Sequence, residues 1–329
     1  MPERDPVERF DELVQAMLTG ARVDDADAGM GGLLAVARDL RGVPHQEFRE
    51  RLGTELARAA ERSGGAEMTI AQVQVREGFH SMTPYLHVER IADLIGFVKE
   101  AFGAVEVMRQ VGSAGGLHAE VRIGDSMVMM GGYPGITEMP TALHLYVEDV
   151  DAVYARAVAA GAVTLHPLTD QPYGDREASV RDPFGNHWYI ATHTADPAIG
   201  HRPEGLRAVT PYLHPRGAPS LIDFFRAAFD AEETFRHQSP DGVIHHAKVR
   251  IGDSMIEMGE AHGQWQPMPA AIYLYVDDCD LRYEQAVRAG GTSLAPPSDQ
   301  PYGDRMAYVQ DPGGNIWYIA SRMLPRLVT

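Results

Sequence analysis

The chain has 329 residues, 46 acidic and 29 basic, for a net charge of −17. So acidic a balance argues against nucleic acid and anionic membrane as partners. A single cysteine, Cys279, excludes an intramolecular disulfide and a thiolate metal cluster, and no apolar run approaches the ~18 residues of a membrane span. The opening stretch MPERDPVERF is charged and lacks the apolar core of a secretion signal, so a cytoplasmic protein is expected.

Residues 1–65 read as a small all-helical extension. Asp5 and Pro6 stand at cap and first-turn positions, and Val7, Phe10, Val14, Met17 and Leu18 form an apolar stripe. A second stripe runs through Leu33, Leu34, Ala37 and Leu40, and a third helix after Pro44 carries Phe48, Leu52 and Leu56. These helices are expected to pack on themselves, on the rest of the chain or on a protein partner. A linker at 66–80 follows Ser63-Gly64-Gly65.

Beyond the linker the chain repeats itself. TPYLH at Thr83 recurs at Thr210 (offset 127), RIGDSM at Arg122 recurs at Arg250 (offset 128), and DQPYGDR at Asp170 recurs at Asp299 (offset 129). RDPFGNHWYIA from Arg181 is answered by QDPGGNIWYIA from Gln310. Residues 81–196 and 205–323 are therefore two copies of one domain. Within a copy, a strand at MTPYLHV precedes a helix marked by Ile91, Leu94, Ile95, Val98 and Phe102 and stopped at Gly103. Three alternating runs follow, at Val105–Arg109, Leu117–Ile123 and Met127–Met130. A second round begins at Leu143–Val147, with a helix from Asp149 to Gly161 and three more strands. The pattern is strand–helix–three strands, twice per copy, which makes an α+β fold.

Paired modules of this kind, carrying TPYL, RIGDSM and YGDR…DPFGN.W in this order, resemble the vicinal oxygen chelate superfamily of glyoxalases, bleomycin-resistance proteins and extradiol dioxygenases, and in particular its tandem glyoxalase-like bacterial branch. The resemblance implies cupped mixed sheets, each around one pocket. It also implies that metal-dependent members draw ligands from the first and fourth strands of two modules. Those positions here are Thr83, Met129, Ala142 and Tyr189 in copy one, and Thr210, Glu257, Ala271 and Tyr318 in copy two. Only Glu257 is a ligand of the family type. Were modules to pair across copies, one pocket would gather His144, His187, His214 and Glu257, a metal-site composition. The other would hold His87, Met129, Tyr273 and Tyr318. The cofactor is thus one divalent metal at that set, or none.

Tyrosines alternate along the strands, and Tyr85, Tyr189, Tyr212, Tyr273 and Tyr318 are the expected lining of a pocket for a small organic molecule. DQPYGDR has two readings. As scaffold, Arg176 pins its hairpin to an aspartate such as Asp182; as pocket, Arg176 and Arg305 meet an anionic ligand. The leading functional reading is a protein that binds a small organic, aromatic molecule without the family's usual metal. The alternative is an enzyme, either a metal-dependent lyase or oxygenase or a metal-free catalyst using His144 or His87 as acid and base. A third is a ligand-responsive regulator acting through the N-terminal helices. Cys279, flanked by Asp278 and Asp280, is not expected to be a nucleophile.

Overall fold

The structure is a computed structural model that describes residues 73–111, 115–195, 200–263 and 265–323. The helices expected in 1–65 and the first part of the linker lie outside these residues. The account below concerns one compact unit of the chain, residues 71–329. Among the described residues no helix is long and apolar enough to cross a membrane.

Copy one runs β1 (Met82–His87), α1 (Ile91–Phe102), β2 (Val105–Val111), β3 (Leu117–Ile123), β4 (Ser126–Gly132), β5 (Ala142–Tyr146), α2 (Val150–Ala159), β6 (Val163–Asp170), β7 (Asp175–Arg181) and β8 (His187–His193). Copy two repeats the order with β9 (Val209–Leu213), α3 (Ala218–Phe229), β10 (Glu232–Gln238), β11 (Ile244–Ile251), β12 (Ser254–Met258), β13 (Ala271–Tyr275), α4 (Cys279–Arg288), β14 (Thr292–Asp299), β15 (Asp304–Gln310) and β16 (Ile316–Arg322). The helix boundaries follow local chemistry. Gly103 ends α1 in the left-handed conformation, and the Asp149 carboxylate caps α2 by accepting from Ala152 N at 2.9 Å.

The strands form two eight-stranded sheets, ordered β14-β15-β16-β13-β1-β4-β3-β2 and β10-β11-β12-β9-β5-β8-β7-β6. Each sheet takes half its strands from each copy. The seams are antiparallel: β1 pairs with β13 (Thr83 opposite Tyr273) and β5 pairs with β9 (His144 opposite Thr210). The copies are therefore interleaved at the level of the sheets. Their helix-covered cores stay separate: Leu86, Val128, Leu143 and Trp188 of copy one pack with α1 and α2, and Leu213, Ile256, Ile272 and Trp317 of copy two pack with α3 and α4. Trp188 lies against Phe102 at 4.5 Å and Trp317 against Phe229 at 4.4 Å.

The repeated GDS turn locks the seams. Asp125 and Ser126, between β3 and β4, accept from Ala208 N and Val209 N at the start of β9, both at 2.9 Å. Asp253 and Ser254 do the same for Ser81 N (2.8 Å) and Met82 N (3.1 Å) at the start of β1. A Cβ at Gly252, whose φ is +59°, would meet the Ser81 hydroxyl at 2.3 Å, so only glycine permits this approach.

The arginines of DQPYGDR and the DPFGN.W turn are scaffold. Arg176 donates to both Asp151 oxygens at 2.7 Å and to Asp170 at 3.0 Å, clamping the first turn of α2 to β6. Arg305 repeats this with Asp280 and Asp299. The partners are helix and strand aspartates, not Asp182, and both guanidiniums lie on the helix side of their sheets. Arg176 and Arg305 are therefore not pocket residues. Asp182 is instead buried and accepts from Phe184 N, Asn186 N, Asn186 Nδ2 and Trp188 Nε1, all within 3.0 Å. Cys279 is buried, donates to Ile319 O, and has its thiol pushed up to about 12 by burial and Asp280.

Asp182→Ala leaves several buried donors unpaired and should cost about 3 kcal/mol or more in chemical denaturation. Arg176→Ala removes two solvent-screened ion pairs and should cost far less. Equal losses would contradict this division between buried and exposed anchoring.

Candidate functional site

On each strand alternate residues face away from the helices, and those from both halves of a sheet meet. Met127 and Met129 of copy one cluster with Tyr273, Tyr275 and Met306 of copy two. Across the second sheet, His144 of β5 reaches Glu257 of β12, two strands away. Each contact joins residues two strands apart on the helix-free face of its sheet, and each such face is called a cup below. The two cups descend from the same repeat but differ in chemistry.

The first cup, on the β1–β13 sheet, is aromatic and charge-balanced. Its floor holds Glu120, paired with both guanidinium nitrogens of Arg76 (2.5 and 2.8 Å), and Asp304, which accepts from Tyr273 and from Arg322 at 2.7 and 2.8 Å. Arg76 and Phe79 enter from the linker, stacked at 4.5 Å. Toward the mouth, Tyr318 Oη and His87 Nε2 are 2.6 Å apart, and Tyr85 Oη lies 3.0 Å from His118 Nδ1. Burial pushes the His87 imidazole down to about 4, so it is neutral. A cleft of about 360 Å³ opens here, lined by Tyr85, His87, His118, Tyr133, Ile136 and Tyr318, with Gly131 and Gly132. A Cβ on Gly131 would sit 2.1 Å from the Tyr85 hydroxyl, so glycine makes room for that ring.

The second cup is polar within and covered at its mouth. Trp265, from the β12–β13 connection, stacks on His214 (5.6 Å, 8°) and lies 5.8 Å from Tyr189. Below it, His144 Nδ1 and a Glu257 oxygen are 2.7 Å apart. Asp175 and Glu177 approach from β7: Glu177 is 3.8 Å from His144 Nε2, and Asp175 accepts from Tyr146 (2.8 Å) and is bonded to His193 Nδ1 (2.6 Å). His246 Nε2 and Lys248 Nζ stand 3.4 and 3.7 Å from the other Glu257 oxygen. Burial works against charge on both partners of the central pair. Glu257, Glu177 and Asp175 nevertheless raise the His144 pKa, and His144 and His246 hold Glu257 well below the usual carboxylate range. Both shifts favour the imidazolium–carboxylate form of the pair. Burial, Asp175 and Glu257 together raise Glu177 against the opposing pull of His144.

The structure separates the four residues expected to share a metal. His144 and Glu257 bond to each other, whereas His214 Nε2 is engaged by Tyr189 Oη at 2.8 Å. His187 is half-buried and near enough to His214 to lower its pKa, with no part in the carboxylate cluster. Nor do the family's register positions fit a metal. In the second cup these are Thr210, Glu257, Ala142 and Tyr189, and in the first Thr83, Met129, Ala271 and Tyr318. They supply one carboxylate in all, and the tyrosines are bonded to His214 and His87. Of the expected pocket tyrosines, Tyr85 and Tyr318 line the open cleft and Tyr273 lies in that cup's floor. Tyr189 and Tyr212 lie 5.0 Å apart in the second cup, their rings tilted by 48°. Asp175, Glu177, His193, Trp265, Tyr133 and the Arg76–Glu120 pair escaped sequence reasoning. Comparing the copies holds one signal, since Glu177 stands where copy two has Met306.

The model for the Glyoxalase/Bleomycin resistance protein/Dioxygenase superfamily matches residues 48–190 and 216–319, and the chain belongs to that superfamily. Among its relatives, the uncharacterized Mycobacterium bovis protein Mb0911c is 40% identical over 123 residues, covering 33% of this chain and 81% of its own. The provisionally named glyoxylase CFP32 of the same organism is 28% identical over 199 residues, covering 56% of this chain and 72% of its own. Glyoxalase I from Zea mays shares the fold, with a TM-score of 0.56, 16% identity, and coverage of 73% of this chain and 92% of that one.

The protonation states can be read by NMR titration of the imidazoles. His87 and His214, both held down to about 4, should remain neutral from pH 7 to below pH 6, and His144 should remain charged above its ordinary value of 6.5. Because the unfolded chain protonates His87 and His214 near 6.5, they make stability fall as pH drops from 6.5 toward 4. His144 has the opposite sign, stabilising below 6.5 and losing that contribution as pH rises through its folded pKa. A neutral His144 at pH 6 would contradict the ion pair.

Proposed function

We propose that the first cup binds a small, flat, uncharged organic molecule in the cleft between Tyr85, His87, His118, Tyr133 and Tyr318. The observation that carries this reading is the cleft itself. Its volume of about 360 Å³ falls within the range of small-molecule sites, and its walls are aromatic rings with a few polar tips. The charged groups beneath it are already matched, Glu120 by Arg76 and Asp304 by Arg322, so the site offers no net charge to an ionic ligand. Neutral His87 and the tyrosine hydroxyls can exchange their mutual hydrogen bonds for bonds to hydroxyl or carbonyl groups. Glyoxalase activity, suggested by the name of CFP32, is not proposed, because the family's metal positions here lack the donors.

A second reading rests on the His144–Glu257 pair, whose buried imidazolium is placed as a general acid would be. Trp265 over the mouth of that cup weighs against substrate entry without movement of its loop.

The test is a titration of uncharged aromatic compounds followed by protein NMR and calorimetry. Binders should perturb Tyr85, His87 and Tyr133, and Tyr85→Ala or His87→Ala should weaken them about tenfold or more, about 1.4 kcal/mol. Trp265→Ala should leave their affinity unchanged. Binders that perturb only the second cup, or that ignore Tyr85→Ala, would overturn the assignment.

A further inference from the structure

The second cup carries an arrangement that neither the cleft reading nor the family's register accounts for. One ring nitrogen of His144, an Asp175 oxygen and a Glu177 oxygen lie within 4.8 Å of one another. His144 and Asp175 are 5% and 4% exposed, and Glu177 is half-buried. His144 Nε2 is buried and has no hydrogen-bond partner, while its nearest neighbouring charge is the Glu177 carboxylate at 3.8 Å. The other nitrogen, Nδ1, is bonded to Glu257, so the ring is oriented with Nε2 toward the Glu177 carboxylate of β7.

We propose that His144 Nε2, Asp175 and Glu177 bind a divalent first-row transition-metal ion, with Glu257 as the carboxylate that orients the imidazole. One nitrogen and two carboxylates suit Mn, Fe, Co or Zn. Metal-bound histidines regularly donate their second nitrogen to a carboxylate, and ligating carboxylates are themselves hydrogen-bonded. Glu257 fills the first role, and Tyr146 and His193 fill the second at Asp175. When the ion binds, the Nε2 proton leaves to solvent and the lone pair goes to the metal.

Charge supports the same conclusion. In the first cup each buried acid has its own arginine, Arg76 for Glu120 and Arg322 for Asp304. In the second cup the counterpart of Arg322 is His193 and the counterpart of Glu120 is Lys248. Asp175, Glu177 and Glu257 thus share one lysine, 3.7 Å from Glu257, and the histidines around them. A divalent ion would make up the difference. The first cup has Tyr273 and Met306 where His144 and Glu177 stand, so it retains only Asp304 of the trio. This set differs from the family's positions on the first and fourth strands, since two of its ligands come from β7.

The experiment uses the full chain, purified without an affinity tag, stripped with chelator and titrated with Co²⁺. Binding is followed by visible absorption and by plasma mass spectrometry after desalting. One Co²⁺ per chain should bind, displaced by Zn²⁺. Glu177→Met, which installs the residue the first cup carries, should abolish stoichiometric binding, with Glu177→Gln as a second variant should the first fail to fold. Glu257→Gln should weaken binding about tenfold or more and alter the Co²⁺ spectrum, whereas Glu120→Gln in the first cup should change neither. Absence of Co²⁺ and Zn²⁺ binding by the wild-type chain, or full binding by folded Glu177→Met or Glu177→Gln, overturns the proposal. The cleft ligand plays no part in this readout, so either site can fail without the other.

Discussion

The antiparallel seams β1–β13 and β5–β9 are the constraint on which the rest of the molecule depends. Each joins a strand of one copy to a strand of the other, and each is held at its end by the other copy's GDS turn. The reciprocity explains why RIGDSM is repeated so closely. Asp125 and Asp253 accept from backbone N–H groups about 83 and 172 residues distant in sequence, and Gly252 leaves space for the contact. Stability and site formation are therefore coupled, because neither cup has both walls until the two copies have met.

Interleaving also lets one repeat produce two different sites. Each cup draws one wall from copy one and one from copy two, so a substitution in either copy alters only one cup. Met129 and Glu257 are equivalent positions, as are Tyr273 and His144. Pairing across copies places His144 beside Glu257 in one cup and Met129 beside Tyr273 in the other. Pairing within copies would have set the imidazolium against a methionine and left the buried carboxylate facing a tyrosine. The polar residues of the second cup make sense only in the observed topology.

Much of the fold was legible in the sequence. Offsets of 127 to 129 residues revealed the copies, and helical and alternating spacings marked the elements within them. The choice of partner strand was not legible, because β5 and β13 carry the same local pattern and β1 could zip to either. His144 and Glu257 could be singled out as residues where the copies diverge. Asp175 was hidden by its identity with Asp304, since a residue shared by both copies reads as scaffold. Glu177 lies one step past that shared stretch, and only β7 pairing two strands from β5 brings it to His144. Arg176 shows the converse: charge and loop position admitted a pocket role, but strand alternation after Asp175 turns it to the helix side, where Asp151 waits.

The most direct measurement is a nuclear Overhauser map of strand pairing in the full chain. Cross-copy closure predicts interstrand contacts between the Thr83 and Tyr273 backbones and between those of His144 and Thr210. Contacts from Thr83 to His144, and from Thr210 to Tyr273, would mean that each copy closes on itself. The imidazolium–carboxylate pair and the division into an aromatic and a polar cup would then both be wrong.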